Sequence, residues 1–210
     1  MQRIIRFTAL ISLLVLGACN VLPTQPARFD PYQGLMAAGT RPKEASERPP
    51  VQAKGKSVAL IISDSTETQF KYIEDMISVL KNNPVYTFAW RDDMEAKVKP
   101  NYLVGQVVDL FRSRFARAEL VDDFNGAIQG RYDYIAVIDL AIRKPTVTSN
   151  EYVYDAAIDL LTTRIERIVH LSGHGAQVSC LSKDCHFPAD MRAMEQALGQ
   201  LRSEFDRNIQ

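Results

Sequence analysis

The chain has few cysteines, no excess charge of either sign and no apolar run long enough to cross a membrane. Three cysteines in 210 residues are too few for a disulfide scaffold, and their odd number asks what the third one does. Twenty-five basic and 25 acidic side chains give a formal charge of zero. That excludes a chain-wide basic footprint of the kind that binds nucleic acid by neutralising phosphates. Hydrophobic residues make up 46% and charged residues 24%, ordinary globular values that exclude wholesale disorder. No serine elbow, HExxH helix or GxGxxG loop occurs, and no repeat of roughly 20–50 residues is visible. The length suits one domain with a core and room for an appendage.

The N-terminus carries the clearest signal. Arg3 and Arg6 form a short positive stretch, followed by an apolar run from Phe7 to Leu16. The run falls short of the ~20 residues of a membrane span. It ends at Leu16-Gly17-Ala18-Cys19, small residues placed as at a secretory cleavage point. The tetrapeptide resembles the bacterial lipobox. The resemblance implies a signal peptide over 1–18, cleavage before Cys19, and acyl chains of the palmitate kind on its sulfur and new amino group. More than one chain is needed for stable anchoring, and a triacylated cysteine supplies that. The alternative is an ordinary secretory signal with an incidental cysteine. Asn20 follows where aspartate would signal inner-membrane retention, so the expected location is the outer membrane, facing the periplasm. Losing Arg3 and Arg6 leaves 23 basic against 25 acidic residues, about −2.

Residues 19–56 hold Pro23, Pro26, Pro31, Pro42, Pro49 and Pro50 and lack sustained periodicity. This composition predicts a tether with an r.m.s. reach of ~35 Å, stiffened by proline. Within it, Phe29, Tyr32, Leu35 and Met36 form an apolar patch that docks on the domain or a partner, or stays a weakly ordered linker.

From Ser57 to the end the pattern is globular. Val58–Ile62 suits a buried strand. Asp64 and Glu67 suit a capping box before a helix with Phe70, Ile73, Ile77 and Leu80 on one face. Asn82-Asn83-Pro84 stops that helix. Val85–Trp90 suggests a short strand and Arg91–Pro100 a charged connector. Asn101–Ala118 predicts a second helix, with Val104, Val107, Val108, Phe111 and Phe115 inward. Glu119–Val121 is a weak strand, Asp122–Gly130 a helical turn and Tyr134–Leu140 a strong strand. Tyr152–Thr162 and Arg167–Val178 form a hairpin turning near Arg164–Glu166. Pro188 suits the first turn of a terminal helix striped by Met191, Met194, Leu198, Leu201 and Phe205. The order predicts a single-domain α/β sandwich with a mixed β-sheet, a C-terminal β-hairpin and a terminal helix.

Candidate chemistry is sparse. Gly55-Lys56-Ser57 imitates the end of a phosphate-binding loop but precedes a strand, the wrong place for one. His174 ends an apolar strand with Cys180 nearby, a pairing similar to caspase-like peptidases, whose thiol instead follows a different strand. His170 and His174 with Cys180, Cys185 and His186 suggest zinc. On a strand, however, residues four apart lie ~13 Å apart, too far to share an ion with ~2.0–2.1 Å bonds. Solvent-facing histidines are the simpler reading. In an oxidising compartment, with Cys19 lipidated, Cys180 and Cys185 are left as a pair and are expected to form a short-loop disulfide, two free thiols being the alternative. Asp133, Asp139, Asp155 and Asp159 suggest an acid–base pair, and Asp155 and Asp159 share a strand face, but carboxylates at that spacing are read more simply as a solvated face.

The stretch Ile158-Asp-Leu-Leu-Thr-Thr-Arg-Ile-Glu-Arg-Ile-Val-His-Leu-Ser-Gly-His-Gly-Ala176 resembles the strand–turn–strand unit of TolB N-terminal-like lipoprotein domains. That group includes the curli-secretion and penicillin-binding-protein activator lipoproteins; YajG-type lipoproteins are similar more loosely. Their last strand often ends in a Ser-Gly-x-Gly-like stretch, as at Ser172–Gly175. The 82–100 segment and the Cys180–Cys185 pair depart from that pattern. The resemblance implies a non-catalytic binding or assembly module with no catalytic residue, metal or cofactor to transfer. The expected partners are a membrane, through lipid on Cys19, and an envelope protein such as a peptidoglycan synthase or secretion machinery. No nucleic acid is expected. The alternatives are an accessory lipoprotein of a transporter and an envelope hydrolase using His174.

Overall fold

A computed structural model describes residues 24–37, 40–46, 51–81, 100–143, 151–178 and 189–210. Six strands form one mixed sheet: β1 (Lys43–Glu44), β2 (Ser57–Ile62), β3 (Arg117–Leu120), β4 (Tyr134–Arg143), β5 (Glu151–Thr162) and β6 (Glu166–Val178). Their spatial order is β1-β6-β5-β4-β2-β3. Pairing is parallel for β1–β6, β2–β3 and β2–β4, and antiparallel for β4–β5 and β5–β6. Four helices are described: α1 (Asp64–Lys81), α2 (Pro100–Arg112), α3 (Phe124–Gln129) and α4 (Ala189–Asn208). This is the single-domain α/β arrangement with a mixed sheet, hairpin and terminal helix that the element order predicts.

Alternation along the strands separates two cores. Val58, Leu60, Ile138, Leu140, Ile158 and Leu171 face α1, α2 and α4. Phe111 of α2 meets Phe205 of α4 edge to face, with centroids 5.0 Å apart, a favoured aromatic geometry. On the opposite face, Ala59, Ile61, Ile135 and Leu161 meet Phe124 and Ala127 of α3, together with Tyr32 and Tyr132.

The Ser-Gly-His-Gly stretch has a packing cause. A Cβ on Gly173 would stand 2.0 Å from the Ala197 carbonyl oxygen, and one on Gly175 would stand 1.8 Å from that of Ala193. Both glycines let the α4 backbone press against β6. Strand alternation then sends Ser172 and His174 to the other face. At the hairpin turn, the Thr162 hydroxyl accepts from the backbone N–H groups of Arg164 and Glu166. Ile165 there adopts φ 61°, a costly left-handed conformation for a β-branched residue.

Several elements differ from the sequence expectation. The cap of α1 is Ser63, whose Oγ accepts from Thr66 N at 3.1 Å, so the capping position lies one residue before Asp64. Helix α2 ends at Arg112 rather than Ala118. There Ala116 N donates to Lys56 O and the next residues pair with β2, so sheet hydrogen bonding displaces helix. Strand β1 has no signal in its two charged residues. The expected strand at 85–90 lies outside the described residues.

The proline-rich segment contributes to the domain itself. Tyr32, Val51 and Ala53 are buried. Val51 O accepts from Gln210 N, and Ala53 N donates to Gln210 O, which ties this segment to the C-terminus. Over these positions it packs as part of the fold rather than as a free linker. Among the described residues, no helix is long and apolar enough to cross a membrane.

Candidate functional site

The sheet face away from α4 carries a polar stripe. The β4–β5–β6 register places Asp139 beside Ala157, which in turn neighbours Ser172, Asp155 beside His174, and Asp159 beside His170. Residues two apart on a strand share a face, so three carboxylates and two imidazoles collect there. Asp139 and Asp159 are buried, at 3% and 8% exposure. A solvated face would leave them in water; here each is covered and paired.

The covering comes from residues 24–36. Arg28 Nη2 donates to Asp139 Oδ2 at 2.5 Å, and Ser63 Oγ donates to Asp139 Oδ1 at 2.8 Å. The Tyr32 hydroxyl donates to Asp159 Oδ2 at 2.5 Å. Burial first, and then this bond, pushes the Tyr32 phenol far above its ordinary range, so it stays a donor at any physiological pH. Arg167 also reaches Asp159, at 3.2 Å, and pairs with Glu44 of β1. Its carboxylate partners raise the pKa of the guanidinium, the Glu44 hydrogen bond most.

The two histidines share one arrangement. His170 Nδ1 lies 2.6 Å from Asp159 Oδ1, and His174 Nδ1 lies 2.7 Å from Asp155 Oδ1. Each side chain is half-exposed. A carboxylate accepts only, so Nδ1 carries the proton in each pair. The histidines are thus carboxylate-oriented rather than simply solvent-facing. The register places them on the same strand face, four residues apart, as predicted. Among the described residues no group of three or more His, Cys, Asp or Glu is placed to hold a metal ion.

Two clefts flank Arg28. One of about 500 Å³ lies between the covering segment and the sheet, walled by Tyr32, Arg41, Asp159 and His170. The other, of about 580 Å³, lies beside Gln25–Arg28 and is walled by Gln69, Arg143 and Asp155. A third, of about 190 Å³, lies between α2 and α4.

A separate ionic cluster lies at the β2–β3 side of the sheet. Asp133 accepts from Ser57 N, Ser57 Oγ and Lys56 Nζ, which hold its carboxyl down at about 2, with the Ser57 N–H the largest contributor. Arg117 stacks 4.3 Å over the Tyr132 ring and bonds Glu119, whose carboxyl also sits at about 2. Lys56 therefore serves as a carboxylate partner in a turn, consistent with dismissing the phosphate-loop reading.

Cys19, Cys180 and Cys185 lie outside the described residues. His174 is described and paired with Asp155. The sequence did not signal Arg28, Ser63 or Gln69, because their partners are distant in the chain.

No protein-family model matches the chain, and no curated protein matches it. Three solved structures are similar at low identity. A variant PelC dodecamer from Paraburkholderia phytofirmans is 11% identical, with a TM-score of 0.41, over 79% of this chain and 96% of that one. A candidate lipoprotein from Caulobacter crescentus is 10% identical, with a TM-score of 0.28, over 50% and 75%. A hypothetical protein from Chlamydia trachomatis is 10% identical, with a TM-score of 0.33, over 73% and 100%. These likenesses are loose, and nothing about this chain rests on them.

Proposed function

We propose that the protein is an outer-membrane-anchored periplasmic lipoprotein whose domain is a non-catalytic binding module for an envelope protein. The observation that carries this reading is the ordered set of Arg3 and Arg6, the apolar run and Leu16–Cys19. The sheet supports the binding role through β3, its edge strand among the described residues, where Leu120 is 49% exposed, as Ile128 of the following helix α3 is at 51%. An edge strand offers backbone hydrogen bonds to an added strand, and flanking apolar side chains give it selectivity. Arg28 lies nine residues after Cys19, and an extended chain of that length spans at most about 30 Å. With residues 24–36 docked, the module works close to the bilayer.

The test is made on the full chain in cells. Metabolic labelling with a fatty acid should mark the wild-type protein and not Cys19→Ala. A photo-crosslinker at Ile128 should capture a defined envelope protein, lost with Leu120→Arg and kept with His174→Ala. Equal labelling of Cys19→Ala, or capture indifferent to Leu120→Arg, defeats the reading.

The hydrolase alternative rests on the Asp155–His174 pair, which resembles an oriented general base. It predicts that His174→Ala abolishes an activity. The transporter alternative needs a lipid-sized apolar groove between helix and sheet; the two larger clefts, about 500 and 580 Å³, carry charged side chains, and the cleft between α2 and α4 holds about 190 Å³, small beside the ~300–1,000 Å³ of ligand sites.

A further inference from the structure

We propose that the cleft between residues 25–28 and the adjoining ends of β4 and β5 binds a short peptide through its free ammonium and carboxylate ends. The proposal concerns what the folded domain holds and does not depend on the lipid anchor or the protein partner. The cleft encloses about 580 Å³, within the ~300–1,000 Å³ typical of small-ligand sites. Ala141 and Val153 give it an apolar floor, and its rim carries Arg28, Arg143, Glu151 and Asp155. Charges of both signs at one mouth suit a zwitterion.

Gln69 points to a ligand independently. It comes from α1, lines the cleft and is 2% exposed. Its Oε1 has no hydrogen-bond partner, while Nε2 donates to Pro26 O at 3.3 Å. The Pro26 carbonyl fixes which end of the amide is NH₂, so the buried acceptor is the unmatched group. Buried polar groups are nearly always paired; the oxygen is sealed from solvent, so a peptide N–H supplies the missing donor as the 25–28 wall adjusts around the ligand.

The arginines keep donors to spare. Arg28 Nη1 and Arg143 Nη2 stand 3.9 and 3.7 Å from Asp155 Oδ2, beyond hydrogen-bond length. Each guanidinium has five N–H donors, so both can take a peptide carboxylate. Asp155, whose Oδ1 accepts from His174, presents Oδ2 to an ammonium.

Other ligand classes fit less well. No aromatic side chain lines the cleft among the described residues, so a sugar ring has no face to stack on. A nucleotide would set phosphates against Asp155 and Glu151. An acyl chain would desolvate four charges.

Residues 25–28 form one wall, held in part by Gln25 donating to the Ile142 carbonyl. The site therefore exists only while that segment is docked, and ligand and docking favour each other by linkage.

The experiment is calorimetric titration of the purified full-length protein with trialanine. The comparison ligands are trialanine acetylated at its amine, trialanine amidated at its carboxylate, and N-acetylglucosamine. Free trialanine should bind at millimolar concentration or below, and either cap should weaken it about tenfold. Gln69→Leu should weaken binding about tenfold while its urea midpoint changes little, because the unmatched acceptor is lost together with one long hydrogen bond to Pro26 O. Arg143→Ala, on the exposed rim, should erase the difference between free and amidated peptide. The proposal is overturned if trialanine does not bind at millimolar concentration, if capped and free peptides bind alike, if only the sugar binds, or if both variants titrate like wild type.

Discussion

Arg28 Nη2 donates to Asp139 Oδ2 across 2.5 Å, joining a guanidinium that is 45% exposed to a carboxylate that is 4% exposed. The pair clamps the proline-rich segment to the middle of the sheet. Asp139 sits on β4, where an otherwise continuous apolar run from Tyr134 to Ile142 is broken by one charge. That charge is retained together with its partners, Ser63 from the end of β2 and Arg28 from the covering segment.

Arg28→Ala should therefore leave a desolvated anion with one hydroxyl partner. The expected loss is about 1–3 kcal/mol, below the cost of breaking a fully buried pair because Arg28 is half in water. Urea unfolding measures it. Amide exchange over residues 24–36 should accelerate more than exchange in β4.

Tyr32→Phe keeps the buried ring and removes the hydroxyl from Asp159. Arg167 and His170 still hold that carboxylate, so the loss should be about 1 kcal/mol. Tyr32→Ala, which also empties a core position, should cost about 3–5 kcal/mol, by analogy with other aromatic truncations. The ratio of the two, from denaturation midpoints, separates hydrogen bond from packing.

Gly175→Ala sets a methyl group against the Ala193 carbonyl and should cost at least about 3 kcal/mol, because the obstacle is helix backbone. His174→Ala, one residue away on the other face, removes a half-exposed pair and should cost less than about 1 kcal/mol. Thermal melts of the two variants give the contrast, and a comparable loss in both would contradict the packing explanation of the motif.

Asp133 titrates at about 2 in the folded protein, against ~3.9 for an unhindered carboxyl. Its folded pKa is depressed, so its contribution is complete above pH ~4 and is lost as pH falls towards 2. The side chain is 37% exposed, and solvent screening keeps the effect modest. Asp133→Asn should flatten the acid limb of stability between pH 4 and 2 and change little at pH 7. Urea midpoints across that range check the sign.

The elements that bury one face were legible from local pattern. Val58–Ile62 and Tyr134–Leu140 are apolar beyond what a half-exposed strand needs, and both have a strand partner on each side. Met191, Met194, Leu201 and Phe205 recur at helical spacing, and all are buried. The hairpin followed from two β-rich runs around Arg164–Glu166. Less legible was the end of α2, because residues 116–118 are decided by hydrogen bonds to Lys56 and β2 that are distant in sequence. Strand β1 and the docking of Tyr32 and Val51 were hidden for the same reason: proline-rich, aperiodic sequence looks alike whether it is solvated or packed.

By itself, the sequence determined the alternation of strands and helices, the two-sided burial of β2 and β4, and an N-terminal pattern that points to export and lipid. Those are local properties, written in runs and spacings of a few residues. Tertiary structure alone decided that Asp139, Asp155 and Asp159 would be covered rather than solvated, that Gly173 and Gly175 serve helix contact, and that Gln69 would be left with an unmatched oxygen beside a cleft. Each depends on groups tens of residues apart meeting across a sheet, and the energy of a buried charge or amide is set by those neighbours and not by its own place in the chain.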